Sequence, residues 1–499
     1  MTTRVQSRPF TQINALASGG TFSYDLSEGL GYSSSAANFY NQADAFTIAN
    51  VYQSDNTGKS DQLDTELNFV GSYYSEYVNQ IRFGVRYSQR DSEVSEPFFG
   101  MLNFSASPLL SDFDIGVNEG FYFTNIPALA STLLNGQYLL DSNFDPADTQ
   151  FASGLKIGSD DSNRLAESSV GEDTTAFYVE GDFVYRNIDI NAGVRYVKTD
   201  VTAEGAANVD GVVNGVSERN SYHYFLPAIN IKYHFTDDLF LRGAYSKALS
   251  RPSLAALAPR ETFNFTTLEG SRGNPSLDPF RVDQYDIGVE WYFHEQGLIA
   301  LTYFNKDFSS LVGSERVFLS REVSNETGTS MEEVEFTQPF NTGEGSVDGY
   351  ELTLQSSLYF LGEEFENFGF TVNYTDLDSE AELTTQNSTQ AQPFPNLSPS
   401  SYNASLYYDN GVFDAKLSYA WRDGFLQDGL DPEDNFPFQE DYGQLDMTMN
   451  YNITSAISLQ MQVSNLTDEA LEYSSSVVDA LSSSIDTERR VLVGVRYKY

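Results

Sequence analysis

Cysteine is absent from the 499 residues, which removes disulfides, thiolate metal sites and cysteine nucleophiles together. Histidine is scarce: His223, His234 and His294 stand apart with no spacing that suits a metal, and no cofactor is expected. No GxSxG elbow, Walker loop or HExxH pair occurs, so nothing marks an enzyme. No run of 18 apolar residues is present and the mean hydropathy is −0.36, which excludes a transmembrane helix. It does not exclude a membrane, because barrel strands alternate and average to a polar hydropathy. Basic residues are few, 28 against 71 acidic for a net charge of −43. Nucleic acid is therefore not an expected partner, since phosphates call for a basic surface. The opening MTTRVQSRPF lacks an apolar signal-peptide core, and the expectation is a removed signal or a chain that is part of something longer.

Aromatics are plentiful instead, 37 Phe and 32 Tyr against 2 Trp and 6 Met, a profile that suits strands better than helices. They fall with a two-residue period. In VFDAKLSYAW, Phe413, Ala415, Leu417, Tyr419 and Trp421 alternate with Asp414, Lys416, Ser418 and Ala420. In GQLDMTMNYNI, Leu445, Met447, Met449, Tyr451 and Ile453 take one parity, and in ISLQMQVS so do Ile457, Leu459, Met461 and Val463. FGFTVNYT and YNASLYY repeat the pattern. The second parity carries Asn, Gln, Ser, Thr, Asp and Lys, too polar for a dry core.

Charge gathers between these segments, as in residues 157–173, 321–336 and 426–436. A solvated acidic surface accounts for it without a specific cation site. Short turns such as DNG at 409–411 and NITSA at 452–456 alternate with long stretches at 92–173, 203–219, 250–281, 312–345, 378–397, 425–440 and 468–487. Short turns on one rim and long loops on the other describe an up-and-down transmembrane barrel. The count is about sixteen strands of roughly 10 residues, with one or two further candidates before residue 60. A soluble propeller or solenoid would repeat at a fixed period and would leave one apolar face uncovered. The fold class is all-β: a closed antiparallel barrel with lipid outside and a wet lumen inside.

The tetrapeptide GVRY recurs at 84–87, 193–196 and 494–497. Parity sends Val85 and Tyr87, Val194 and Tyr196, and Val495 and Tyr497 toward lipid, and Arg86, Arg195 and Arg496 toward the lumen. Gly84, Gly193 and Gly494 share the lumen side, where a missing side chain relieves crowding or permits bending. A recurring barrel strand explains the repeat.

Five fragments then stand in order: LFLRGAYSKALSRPSLAAL (239–257), GNPSLDPFRVDQYDIGVEWYF (273–293), FNTGEGSVDGYELTLQ (340–355), VSNLTDE (463–469) and the terminal RRVLVGVRYKY. In that order and spacing, over about 260 residues, the chain resembles the C-terminal barrel of TonB-dependent outer-membrane receptors. IRFGVRYSQRDSE followed by a very long connection resembles the large-loop receptors of oligosaccharide-using proteobacteria. The resemblance implies a Gram-negative outer-membrane location and capture of a scarce solute, an oligosaccharide before an iron-siderophore, passed inward with energy relayed by TonB. It also implies contact with lipid, and recognition of the terminal Val495, Tyr497 and Tyr499 by the barrel-assembly machinery. Two departures matter. No plug domain and no TonB-binding box have a counterpart in residues 1–499, and 16–18 strands fall short of the about 22 such transporters use. The expectation is the barrel portion of a truncated receptor, with TonB reached only through a missing plug. A passive porin stays open as the alternative, and for it the missing plug would be native.

Candidate ligand contacts lie in two connections. The first, 92–173, carries Phe98, Phe99, Tyr122 and Phe123, rings able to stack on sugar faces or to pack among themselves as a lid. IPALASTLLNG at 126–136 reads as a short helix assisting that packing. The second carries Arg251, Arg260 and Arg272, which suit hydroxyls of a solute or acids of the chain itself.

Overall fold

The computed structural model describes residues 2–6, 10–17, 46–54, 57–72, 77–95, 98–104, 117–118, 122–123, 152–157, 164–209, 212–264, 268–325, 328–384, 389–427, 437–475 and 481–498. Fifteen strands of 8 to 30 residues form one antiparallel ribbon in chain order. They are β1 Thr57–Ser72, β2 Val78–Ser95, β3 Glu167–Tyr185, β4 Ile188–Val209, β5 Val212–His234, β6 Leu239–Ser250, β7 Phe280–His294 and β8 Gly297–Asn325. β9 Gly328–Ser357, β10 Phe368–Thr384, β11 Ser400–Asp409, β12 Phe413–Arg422, β13 Tyr442–Asn452, β14 Ile457–Ser464 and β15 Arg490–Tyr497 complete it. Among the described residues no helix is long and apolar enough to cross a membrane.

Register carries the apolar parity from strand to strand. Tyr419 faces Ala404 and Leu445, Leu417 faces Leu406 and Met447, and Met461 faces Met449 and Val493. Directly opposed residues share a face, so one side of the whole ribbon is apolar. On that side Phe177, Phe225, Tyr285, Val289, Trp291, Leu301, Leu417 and Val495 are exposed, a large apolar surface that only lipid covers. On β3 the outward apolar run from Phe177 to Tyr185 covers eight residue steps, about 26 Å along the strand at ~3.3 Å each. A tilt of about 40° projects this to ~20 Å, most of the height of the apolar band of outer-membrane barrels. The tilt is visible in the pairing. One row of opposed residues climbs from Tyr185 at the turn end of β3, through Ile188, Tyr233, Leu241, Val289, Leu301, Leu352, Tyr374 and Tyr402, to Trp421 at the loop end of β12.

The long connections differ from the sequence reading. Residues 312–345 continue β8 and β9 as one paired hairpin, 203–219 continue β4 and β5, and both ends of 92–173 belong to β2 and β3. These extensions rise above the lipid band, where both faces meet water or loops. Alternation vanishes there although pairing does not, so the period-two signal stops at the membrane. Short strands Phe425–Leu426, Pro437–Gln439, Ala470–Ser475 and Leu481–Asp486 form a separate small sheet from two of the predicted loops.

Among the described residues, both ribbon edges lack a registered partner over most of their length. β1 takes a five-residue strand, Thr2–Gln6, along Thr57–Asp61. No registered pair joins β15 to β1 among the described residues. Val493, Val495 and Tyr497 are 76%, 70% and 66% exposed, and a Cβ on Gly494 would meet nothing within 4 Å. In an antiparallel series of fifteen the first and last strands run the same way, so an all-antiparallel closure requires an odd number of strands between them.

Candidate functional site in the upper lumen

After β6 ends at Ser250 the chain turns into the barrel. Pro252 fixes the direction, and the Ser253 hydroxyl accepts the Ala256 N–H at 3.2 Å to cap one helical turn, Leu254–Leu257. Leu257, Ala258 and the later Leu277 are fully buried against Val170 of β3, Val201 and Ala203 of β4 and Tyr222 of β5. The returning GNPSL stretch clasps the turn. Asn274 N–H donates to Ala256 O at 2.7 Å, and a side chain at Gly273 would run into the Ala258 carbonyl. Asn274 Nδ2 reaches Pro339 O at 3.1 Å, and Asn341 Oδ1 accepts Asp278 N–H at 2.8 Å, which ties the clasp to β9.

Two buried carboxylates anchor this loop. Glu172 on β3 is 1% exposed in its side chain. Its Oε1 accepts from Arg90 Nε at 3.0 Å and Nη2 at 2.7 Å, and Arg251 Nε stands 3.0 Å from the same oxygen. The Arg251 N–H is not aimed at it, so that contact is ionic and not a hydrogen bond. Glu172 Oε2 and the Tyr222 hydroxyl are buried beside it without aligned partners. Burial first, and the Glu172 charge second, push the Tyr222 phenol up to about 12. Tyr222 lies above the lipid band, since Lys198 and Asp200 form an exposed ion pair on the outer face at this height and Ser221 donates to Asp200. The second carboxylate, Glu261, is held in a fork by Arg321, Nε to Oε2 at 2.9 Å and Nη2 to Oε1 at 2.6 Å. Arg272 stands 3.8 Å from Glu261, and the Arg321 guanidinium stacks 5.2 Å over buried Phe336.

Below this clasp the lumen is polar and open. A cavity of about 850 Å³ is lined by residues that include Asp182, Asp189, Asn191, Arg242, Asp286 and Lys306. Arg82 pairs with Glu180 and Asp182, and Asn191 Nδ2 donates to both carboxylates at 2.8 and 2.7 Å. Water or a polar occupant suits such a wall. His234 Nε2 meets Asp189 at 2.7 Å, His294 meets Ser356 at 2.8 Å, and His223 lies against Tyr196; no group among the described residues has the donors for a metal.

The family description "TonB dependent receptor-like, beta-barrel" matches residues 4–466. The chain belongs to that family. Its place is the Gram-negative outer membrane, and the family and its solved relatives are receptors, not enzymes. Solved structures with the same fold include the ferric-catecholate import receptor Fiu of Escherichia coli K12, at TM-score 0.53 and 14% identity over 91% of this chain. The siderophore receptor PiuA of Acinetobacter baumannii gives 0.54 and 15% over 91%, and the ferric yersiniabactin uptake receptor FyuA of Yersinia pestis 0.54 and 12% over 91%. The matches cover 57%, 60% and 58% of those receptors' own lengths.

Several stretches that carry the family resemblance are structural in this TonB-dependent receptor barrel. In VSNLTDE, Asn465 and Asp468 take positive φ of 54° and 62°. Asn465 Oδ1 accepts Glu469 N–H and Asp468 Oδ1 accepts Arg489 N–H, which fixes β15 beside β14. The predicted site residues divide. Arg251 and Arg272 are taken up by Glu172 and Glu261, and Arg260 is partly buried near them, its N–H on Ala258 O at 2.8 Å. Phe98, Phe99, Tyr122 and Phe123 lie in short strands, Phe98–Phe104 and Tyr122–Phe123, and their side chains fall outside the described residues. The helix expected at 126–136 and the terminal Tyr499 also fall outside them. Sequence reasoning missed Glu172, Arg90, Tyr222, Glu261 and Arg321. Glu172 and Arg90 share the lumen parity with Val170 and Arg86, a usable signal; the other three depend on how the loop folds back.

Proposed function

We propose that this barrel captures a scarce solute at the cell surface and passes it inward with energy relayed by TonB, an oligosaccharide before an iron-siderophore. The observation that carries the reading is an ion-anchored loop folded over a wide polar lumen in a barrel of this family. Two features favour an uncharged, hydroxyl-rich solute. Arg251 and Arg272 have buried glutamates as counter-ions, and a chain of net charge −43 repels anionic ferric complexes.

Residues 1–499 are proposed to be the barrel portion of a receptor whose plug and remaining strands belong to a longer protein. The lack of a registered pair between β15 and β1 among the described residues, and the need for an odd number of closing strands, support this. TonB is then reached through the plug, and Val495, Tyr497 and Tyr499 serve the assembly machinery. The test is complementation. Residues 1–499 behind a signal peptide should fail to support TonB-dependent growth on any solute, and grafting the plug and missing strands of a relative should restore it. Growth on the ungrafted chain that survives TonB deletion would identify a passive pore instead.

A further inference from the structure

The connection between β9 and β10 is unlike the other short turns. It makes two single 3-10 turns, Tyr359–Leu361 and Glu363–Phe365, hinged at Gly362 with φ of 143° and closed by Leu358 N–H on Phe368 O at 2.7 Å. Tyr359, Phe360, Leu361 and Phe365 are all exposed. In a protein meeting only water there, four exposed large apolar side chains within seven residues would be an aggregation liability.

Their neighbours say what covers them. At one end the Tyr359 and Phe360 rings lie 5.4 and 5.8 Å from His294, whose ring meets Phe293, which in turn meets Trp291 on the lipid face. At the other end Phe365 stands 6.4 Å from Phe368, itself 4.8 Å from Tyr408, both outward residues of β10 and β11. The connection thus continues the outward aromatic girdle from β7 past β9 to β11. Glu363, Glu364 and Glu366 are exposed beside it.

We propose that residues 359–365 are an interfacial membrane anchor, with Tyr359, Phe360, Leu361 and Phe365 sunk in the periplasmic leaflet at the headgroup–acyl boundary and Glu363, Glu364 and Glu366 left in water. Aromatic rings at that depth combine an apolar body with a wet edge, and such segments sit about 5–10 Å into the boundary. Besides fastening the rim, the anchor shields the His294–Ser356 hydrogen bond from water.

The cysteine-free chain permits single-site labelling. Nitroxides at Phe360→Cys and Leu361→Cys, in the full chain reconstituted into phosphatidylethanolamine–phosphatidylglycerol vesicles, should favour oxygen over nickel collision and report a depth of about 5–10 Å. Glu364→Cys should read as water, like Asn410→Cys in the polar turn between β11 and β12. Leu417→Cys on the lipid face separates the two claims. If it reads lipid while 360 and 361 read water, the anchor is wrong; if it too reads water, the membrane reading beneath it fails as well. A second probe avoids the label: Phe365→Trp, with Trp291 and Trp421 changed to Phe, should be quenched by brominated lipid. Quenching by iodide alone would overturn the anchor.

Discussion

Glu172→Gln isolates the charge that holds the loop. The substituted carbonyl keeps the size of the side chain and still accepts a hydrogen bond, so only the counter-ion of two guanidiniums is lost. Breaking one side of a buried ion pair costs about 3–5 kcal/mol. Arg90 and Arg251 are 32% and 27% exposed in their side chains and keep part of their hydration, so the lower end, about 3 kcal/mol, is expected. That cost falls on the local opening of 251–277, because the strand ladders of β3 and β2 do not depend on it. Native-state hydrogen exchange reads it directly: the Asn274 amide, bonded to Ala256 O, should exchange about a hundredfold faster, while amides of β12 and β13 stay unchanged. The triple variant Glu172→Gln, Arg90→Gln, Arg251→Gln removes all three charges and should recover most of the protection. Unaltered Asn274 exchange in the single variant, or equal exchange in single and triple variants, refutes the electrostatic anchor.

Facing is tested by charge: Tyr419→Arg or Met447→Arg should impair insertion by about 2–4 kcal/mol at the bilayer midplane, whereas Lys416→Arg or Thr448→Arg is tolerated, and equal refolding yields in vesicles would sink the assignment. Two of the GVRY glycines, Gly84 and Gly494, should part company. A Cβ on Gly84 meets Leu67 O and Tyr178 Cε1, each at 2.6 Å, so Gly84→Ala should lower stability in urea by about 1–3 kcal/mol, while Gly494→Ala is neutral in the 1–499 chain. The raised phenol of Tyr222 favours its neutral form when folded, so its contribution is full below pH 10 and is lost as pH rises toward about 12. Tyr222→Phe should flatten the alkaline rise in Asn274 exchange; an unchanged slope assigns that rise to other groups.

Parity alone placed Tyr419, Met447, Leu459 and Val495 on one surface, and the register confirms that they lie on it together. This worked because a strand in a bilayer must be apolar on alternate residues whatever its neighbours are. The same signal failed at 312–345, where β8 and β9 pair above the lipid and burial no longer follows apolarity: Arg321 and Thr342 are buried there while Phe318 and Met331 are exposed. Arg251 and Arg272 were visible as candidates, yet their partners were not, because Glu172 precedes Arg251 by 79 positions and nothing local links them.

The amino-acid sequence by itself determined a lipid-facing barrel, since two-residue periodicity is a property of the chain read one strand at a time, and its five ordered fragments carried the resemblance to the family. Only the tertiary structure decided that the RPSLAAL and GNPSL stretches fold inward onto β3–β5, that their arginines are held by buried glutamates, and that the rings of the 359–365 turn meet His294 at one end and Phe368 at the other. Those are contacts between residues distant in the chain. Their free energy arises from burial, charge pairing and strand order, which no local pattern encodes.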